Sequence, residues 1–102
     1  MKRTLLIMGA VALLGVLGAA QAAGDATAGK SKSAMCAGCH GAHGEGKGSF
    51  PALAGMKEKE IVTMLKDFKS GKKNNAMMKS FASKLSDQDM ANLAANYASL
   101  KK

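Results

Sequence analysis

The stretch Cys36-Ala37-Gly38-Cys39-His40 holds both cysteines of the 102-residue chain and one of its two histidines. Cysteines three positions apart on a helical turn present their sulfur atoms on one side, where each can add to a vinyl group of a porphyrin. C-x-x-C-H is the spacing at which haem is attached covalently to a polypeptide. The imidazole that follows can reach the iron as its proximal axial ligand. The stretch therefore predicts one haem bound through Cys36 and Cys39, with His40 as a metal ligand.

Paired cysteines also occur in redox dithiols, zinc sites and structural disulfides. A thioredoxin-like dithiol needs a βαβ context, and the chain has no alternating strand pattern rich in valine and isoleucine. A structural zinc site needs two more ligands, and His40 and His43 are the only histidines. These patterns favour haem and leave a disulfide between Cys36 and Cys39 as the main alternative.

The N-terminal segment is typical of a secretory signal peptide. Positions 2–3 are basic, positions 4–19 are almost wholly apolar, and positions 20–22 read A-Q-A, which matches a cleavage site. The apolar run falls short of the ~20 residues that a membrane-spanning helix needs. We therefore expect cleavage before Ala23 and export of a soluble protein to the periplasm, without stable membrane insertion.

Removal of the signal peptide, residues 1–22, leaves one small domain, residues 23–102, with 13 lysines and 7 acidic residues. A chain of this size is marginal for burying a sufficient core unaided, and a large apolar cofactor would supply the missing apolar surface. Lysines without interleaved aromatic residues make a poor nucleic-acid surface, so we expect no nucleic-acid partner. As a set, the lysines can steer docking to an acidic redox partner.

Two stretches carry the i, i+3, i+4, i+7 apolar spacing of an amphipathic helix. The first spans residues 57–70 and is ended by Gly71, and the second follows Ser86 as its N-cap. Their apolar positions are Ile61, Met64, Leu65 and Phe68 in the first, and Met90, Leu93, Ala94 and Tyr97 in the second. Both faces are predicted to form core.

A short helix is predicted from Asp25, its N-cap, into the cysteine motif. Gly29 in its middle lowers helix stability by about 1 kcal/mol, which indicates close approach by another element. The last helix can cross this first helix and place Tyr97 against Gly29. We therefore expect an all-α fold.

Residues 41–49 contain four glycines and are predicted to form a loop. His43 lies three residues from His40, so it stays on the proximal side, and we interpret it as an exposed loop histidine. Pro51 follows, and its carbonyl is an available acceptor. Because a metal-bound histidine normally donates its other ring N–H to a carbonyl or carboxylate, Pro51 is the candidate partner of His40. Phe50 and Leu53 are candidates for the pocket wall.

The second axial ligand is predicted by elimination to come from residues 72–79. A low-spin electron carrier needs two strong protein ligands, His/Met ligation raises the potential, and no free histidine remains for the distal face. Met77 and Met78 lie in a loop-like stretch between two predicted helices, whereas the other methionines fall near the motif or on helical core faces. Met78 is preferred and Met77 is the alternative. Asn75 either orients this stretch or serves as a plain turn residue.

With these features in place, the chain resembles the short class I cytochromes c, especially the bacterial type that also occurs as tandem domains in dihaem cytochromes. The matching segments are Ala28-Gly29-Lys30, Cys36 to Gly41, Phe50 to Gly55, Asp67-Phe68 before Gly71, Asn75 to Met78, and Leu85-Ser86-Asp87 with Leu93-Ala94 and Tyr97. Only C-x-x-C-H is highly specific by itself, and the other segments gain weight from their order and spacing. Phe81 departs from the pattern, because relatives often carry another methionine there.

The resemblance implies a cytochrome c fold over residues 23–102, with three to four helices around one covalent haem c and the first and last helices crossed. It implies proximal His40, a distal methionine in the 75–78 segment and the Pro51 carbonyl on the His40 ring. The function expected is electron transport in a respiratory chain by a monomer that is not an enzyme. Expected partners are redox proteins such as a quinol-cytochrome c reductase, or a terminal oxidase or reductase with an acidic docking surface.

Two other function classes remain open from the residues themselves. A five-coordinate haem protein would bind a diatomic gas or peroxide where a methionine ligand would sit. A haem-free C-x-x-C thiol protein would carry no covalent colour at all.

Overall fold

A computed structural model describes residues 24–101, and the predicted signal peptide lies outside them. The helices are, in chain order, α1 (Ala26–Lys32), α2 (Ala34–His40), α3 (Glu58–Ser70), α4 (Ala76–Ala82) and α5 (Asp87–Ser99). The all-α prediction is confirmed, with five helices in the described part where three to four were expected. None of these helices is long and apolar enough to cross a membrane.

The helix ends follow local side-chain chemistry. The Asp25 carboxylate accepts the Thr27 backbone N–H at 2.9 Å, and Ser86 Oγ accepts the Asp89 N–H at 3.0 Å. Each therefore satisfies a backbone donor that has no partner inside its helix. Gly71 ends α3 with a φ of 87°, in the left-handed region that glycine enters without steric penalty. The predicted starts of α1 and α5 and the end of α3 are confirmed.

The core forms around α5, which contacts both α1 and α3, while α3 also contacts α4. Its buried apolar members come mainly from the two predicted helical stripes and include Ile61, Leu65, Met90, Leu93, Ala94 and Tyr97. Met64 is the exception among the predicted core positions, since it is only partly buried and faces a cavity.

Gly29 lies where α1 crosses α5, and the residues of α5 nearest to it are Asn92 and Asn96 rather than the predicted Tyr97. A Cβ at Gly29 would overlap the backbone carbonyl of Asn92 and would lie 3.0 Å from the Asn96 Cβ. Tyr97 lies instead against Gly44, where a Cβ would come within 2.7 Å of the Tyr97 Cδ1. Asn92 and Asn96 share one face of α5 because they are four residues apart, and Tyr97 is rotated by about 100° from that face. The α5 residues nearest to Gly29 are therefore Asn92 and Asn96, and not Tyr97 as predicted.

Candidate haem site

A cavity of about 500 Å³ opens beside the core, a size typical of small-molecule and cofactor sites. Its walls come from α2, the loop that follows it, α3 and α4, and they are mostly apolar. The lining includes all the residues predicted to bind the cofactor: Cys36, Cys39, His40, Pro51 and Met78. Residues separated by more than 40 positions in the chain therefore meet at one site.

Helix α2 presents both thiols to this cavity because positions three apart lie on one helical face. No disulfide joins Cys36 to Cys39. Burial raises the pKa of the Cys36 thiol. A hydrogen bond with Tyr97 lowers this pKa by a smaller amount, so the pKa stays above its usual value. A reactive redox cysteine has a lowered pKa instead, so this environment does not favour a dithiol oxidoreductase.

His40 ends α2 and is buried, with only 7% of its surface exposed. Its ring nitrogen Nδ1 lies 2.8 Å from the Pro51 carbonyl oxygen. Because a carbonyl can only accept, Nδ1 carries the proton in this pair, and Nε2 is the nitrogen left with a free lone pair. The Phe50 ring packs edge-on against the imidazole at 6.1 Å between ring centroids. The arrangement fixes both the tautomer and the plane of a ring suited to metal ligation.

The loop after α2 fixes this geometry through backbone hydrogen bonds. The Gly46 N–H donates to the His40 carbonyl at 2.7 Å, and the Leu53 N–H donates to the Gly44 carbonyl at 2.7 Å. The loop thus turns back on itself and brings Pro51 to the histidine. His43 lies in this loop with an exposed side chain outside the cavity lining, in agreement with its interpretation as a loop residue.

Met77 and Met78 do not lie in a loop, as predicted, but in the first turn of α4. The Asn75 side-chain oxygen accepts the Met78 backbone N–H at 3.0 Å and starts the helix. An asparagine cap followed by Ala-Met-Met-Lys, all strong helix formers, is the sequence signal for this helix. Both methionines line the cavity, but Met78 packs against the core whereas Met77 is 55% exposed. The difference arises because consecutive residues are rotated by about 100° around a helix.

Tyr97 is a site residue that the sequence did not reveal as one. Its side chain lines the cavity, is only 3% exposed and hydrogen-bonds with Cys36. Burial raises the pKa of the Tyr97 hydroxyl, and the neighbouring Cys36 raises it further. The available signal was a lone tyrosine on an apolar helical face, since a buried hydroxyl needs a polar partner.

The donor set suits a metal held in a macrocycle rather than a bare ion. Residues 24–101 contain no cluster of three or more His, Cys, Asp or Glu side chains that could hold a metal ion, whereas a structural zinc site normally has four ligands. The cavity instead offers two thiols on one helical face, one oriented imidazole, thioether sulfurs and apolar walls. Haem c uses all of these groups, so the residues present fit it.

An all-α domain with this site belongs to the class of covalent haem proteins. The sequence profile of the cytochrome c family matches residues 26–100. The chain belongs to the cytochrome c family, a family of electron carriers, and it carries one haem c attached through Cys36 and Cys39. The predicted cytochrome c fold and the predicted cofactor are thereby confirmed.

Individual relatives support this placement. The chain is 43% identical over 97 residues to cytochrome c4 of Pseudomonas aeruginosa, a match that covers 94% of this chain and 48% of that protein. It is 47% identical over 91 residues to cytochrome c-554(547) of Halothiobacillus neapolitanus, covering 78% of this chain and 100% of that protein. The crystal structure of reduced recombinant cytochrome c4 from Pseudomonas stutzeri matches with a TM-score of 0.73 at 37% identity, covering 78% and 47% of the two chains. The chain thus spans about half the length of the cytochromes c4.

Proposed function

We propose that the protein is a periplasmic carrier of single electrons in a respiratory chain, with His40 and Met78 as the axial ligands of its haem iron. The observation that carries the proposal is the 2.8 Å contact between His40 Nδ1 and the Pro51 carbonyl, in a cavity that Met78 also lines. A carrier needs two protein ligands that stay bound while the iron alternates between its ferric and ferrous states.

The surrounding residues prepare each ligand for this role. The Pro51 carbonyl accepts the Nδ1 proton, which directs Nε2 toward the metal and increases the electron donation of the imidazole. The Met78 thioether is a soft ligand that favours the ferrous state and so raises the reduction potential. The apolar walls exclude water, which limits the reorganisation that accompanies electron transfer.

Partner binding is proposed at the same face of the molecule. Phe50 and Met77 line the cavity and are 40% and 55% exposed, so a partner that covers them would approach the haem. Lysines outnumber acidic residues in residues 23–102, which favours a partner with an acidic docking surface. We infer that the partners are redox proteins, such as a quinol-cytochrome c reductase or a terminal oxidase or reductase, and that the carrier acts as a monomer.

The proposed location follows from the N-terminal sequence. Residues 1–22 are proposed to direct export and to be removed before Ala23, which leaves residues 23–102 as the functional domain. N-terminal sequencing of the exported protein tests this cleavage site directly. A first residue far from position 23 would contradict it.

The test of the ligand assignment is the visible spectrum of the exported holoprotein and of two matched variants, M78A and M77A. Wild type is expected to be low-spin with a sulfur-to-iron charge-transfer band in the ferric form, and its colour should survive acid-acetone extraction. M78A should lose the charge-transfer band and become high-spin, whereas M77A should keep both features because its side chain is largely exposed. A high-spin wild type would instead indicate the gas- or peroxide-binding alternative, and loss of the band in M77A alone would assign the ligand to Met77.

A further inference from the structure

We propose that Asn75 is the positioning residue that keeps Met78 at the iron, because its side chain holds the turn from which Met78 projects. The inference rests on the proposed His40/Met78 ligation. It concerns how readily the methionine leaves the metal, a property that the identity of the ligands does not define.

Asn75 is bonded to the backbone of the ligand itself. Its backbone is extended, with φ −159° and ψ 107°, and its Oδ1 accepts the Met78 N–H at 3.0 Å. Its carbonyl also accepts the next N–H, that of Lys79, at 2.9 Å. The two bonds bracket Met78 and hold the backbone from which its side chain projects into the cavity.

Besides the packing of Met78 against the core, this turn depends on its cap. Helix α4 has only seven residues, and helices of that length are marginal without capping or packing. Its first turn contains no acidic side chain to complement the positive end of the helix. The far end is better secured, since the Lys69 ammonium donates to the Leu85 carbonyl at 2.5 Å and Ser83 Oγ donates to the Lys79 carbonyl at 2.6 Å.

The preceding segment adds few further bonds. In residues 71–75, the Gly71 N–H donates to the Phe68 carbonyl at 3.3 Å, the Lys72 N–H to Ser70 Oγ at 3.3 Å and the Lys73 N–H to the Asp67 carbonyl at 3.1 Å. Segments with few, mostly exposed hydrogen bonds open locally before the rest of a protein unfolds. The Asn75 cap is therefore expected to set the frequency of an opening that carries Met78 away from the iron.

The experiment measures the rate at which imidazole binds to the ferric holoprotein. Imidazole can take the distal position only after Met78 has left, so at saturating imidazole the rate reports how often Met78 leaves the iron. Removing an N-cap oxygen is expected to raise this rate roughly five-fold, within about two- to thirty-fold, in N75A. N75D keeps an oxygen that can accept the Met78 N–H and should stay within about two-fold of wild type.

A matched control separates this positioning role from general stability. Ser86 caps α5 with the same 3.0 Å geometry, and α5 carries neither of the proposed ligands. S86A should therefore lower the thermal midpoint about as much as N75A while leaving the imidazole rate unchanged. Amide hydrogen exchange gives a second readout. The Lys79 N–H donates to the Asn75 backbone carbonyl, which N75A retains, so this amide should exchange roughly five-fold faster in N75A if the turn opens more often, and at the wild-type rate in S86A.

Several results would overturn the proposal. One is an imidazole-binding rate in N75A equal to that of wild type. Another is an equal increase of the rate in N75A and S86A, which would mean that any loss of stability speeds imidazole binding. If N75A does not fold, N75G serves instead, because glycine is tolerated at an N-cap. Its imidazole-binding rate is expected to lie between the rate of N75D and the rate expected for N75A. A wild type without the sulfur-to-iron band would refute the ligand assignment itself, whereas a normal band with unchanged N75A kinetics would refute only the role of Asn75.

Discussion

Replacement of Gly29 by alanine tests how closely α1 and α5 must approach. A Cβ at Gly29 would lie 2.5 Å from the Asn92 carbonyl carbon, whereas carbon atoms in ordinary contact are about 3.5–4.0 Å apart. The two helices would therefore have to separate by about 1 Å. The obstacle is backbone rather than a flexible side chain, so the upper end of the usual overpacking penalty, about 3 kcal/mol, is appropriate.

Helix propensity acts in the opposite direction, since alanine is favoured over glycine in a helix by about 1 kcal/mol. The net loss in the free energy of unfolding is then about 2 kcal/mol for G29A. In a domain of this size, such a loss lowers the thermal midpoint by roughly 8–16 °C. Thermal unfolding of the holoprotein, followed by far-ultraviolet circular dichroism, measures this shift.

Gly38 provides the control, because it lies in α2 and a Cβ there would meet no atom within 4 Å. G38A gains the helix propensity without the collision and should be more stable than wild type by about 0.5–1 kcal/mol. A G29A variant as stable as wild type would refute the reasoning that the α1–α5 crossing requires glycine. Destabilisation of both variants to the same extent would refute it as well.

Two further predictions concern pH and the proximal hydrogen bond. The hydrogen bond from the Ser86 backbone N–H lowers the pKa of the Asp89 carboxyl below its usual value of 3.8. The ionised carboxylate therefore stabilises the folded protein at pH values above 3.8, and this contribution is lost as the pH falls through the lowered pKa. Acid titration of thermal stability should therefore be less steep in D89N than in wild type, and identical profiles would contradict this. P51A keeps the backbone carbonyl that accepts the hydrogen bond from His40 Nδ1, so its reduction potential should match that of wild type within experimental error. The variant should nevertheless be less stable by about 0.4–1 kcal/mol, because alanine gives the unfolded chain more conformational freedom than proline. A large change in the potential measured by spectroelectrochemistry would show that the ring of Pro51, and not only its carbonyl, positions His40.

The predictions from sequence were most accurate where the chemistry is local. Helices α3 and α5 followed from apolar periodicity, and their ends followed from Gly71 and Ser86. The sequence does not predict that Met78 lies in a helix, because residues 72–79 are interpreted as loop-like and Asn75 as a residue that orients this stretch or forms a turn, whereas Asn75 is a helix cap. Residues that favour turns and residues that start helices are often the same, since both roles use a short polar side chain to bind a nearby backbone N–H.

The sequence by itself determined the covalent cofactor, because Cys36, Cys39 and His40 are consecutive members of one motif and act from a single helix. Only the tertiary structure decided which methionine is partly buried at the cavity, since that depends on the rotation of α4 against the core. It also decided that Tyr97 meets Cys36, a contact between residues more than 60 positions apart. Motif chemistry is set by neighbours in the chain, whereas packing is set by helices whose relative positions no single segment defines.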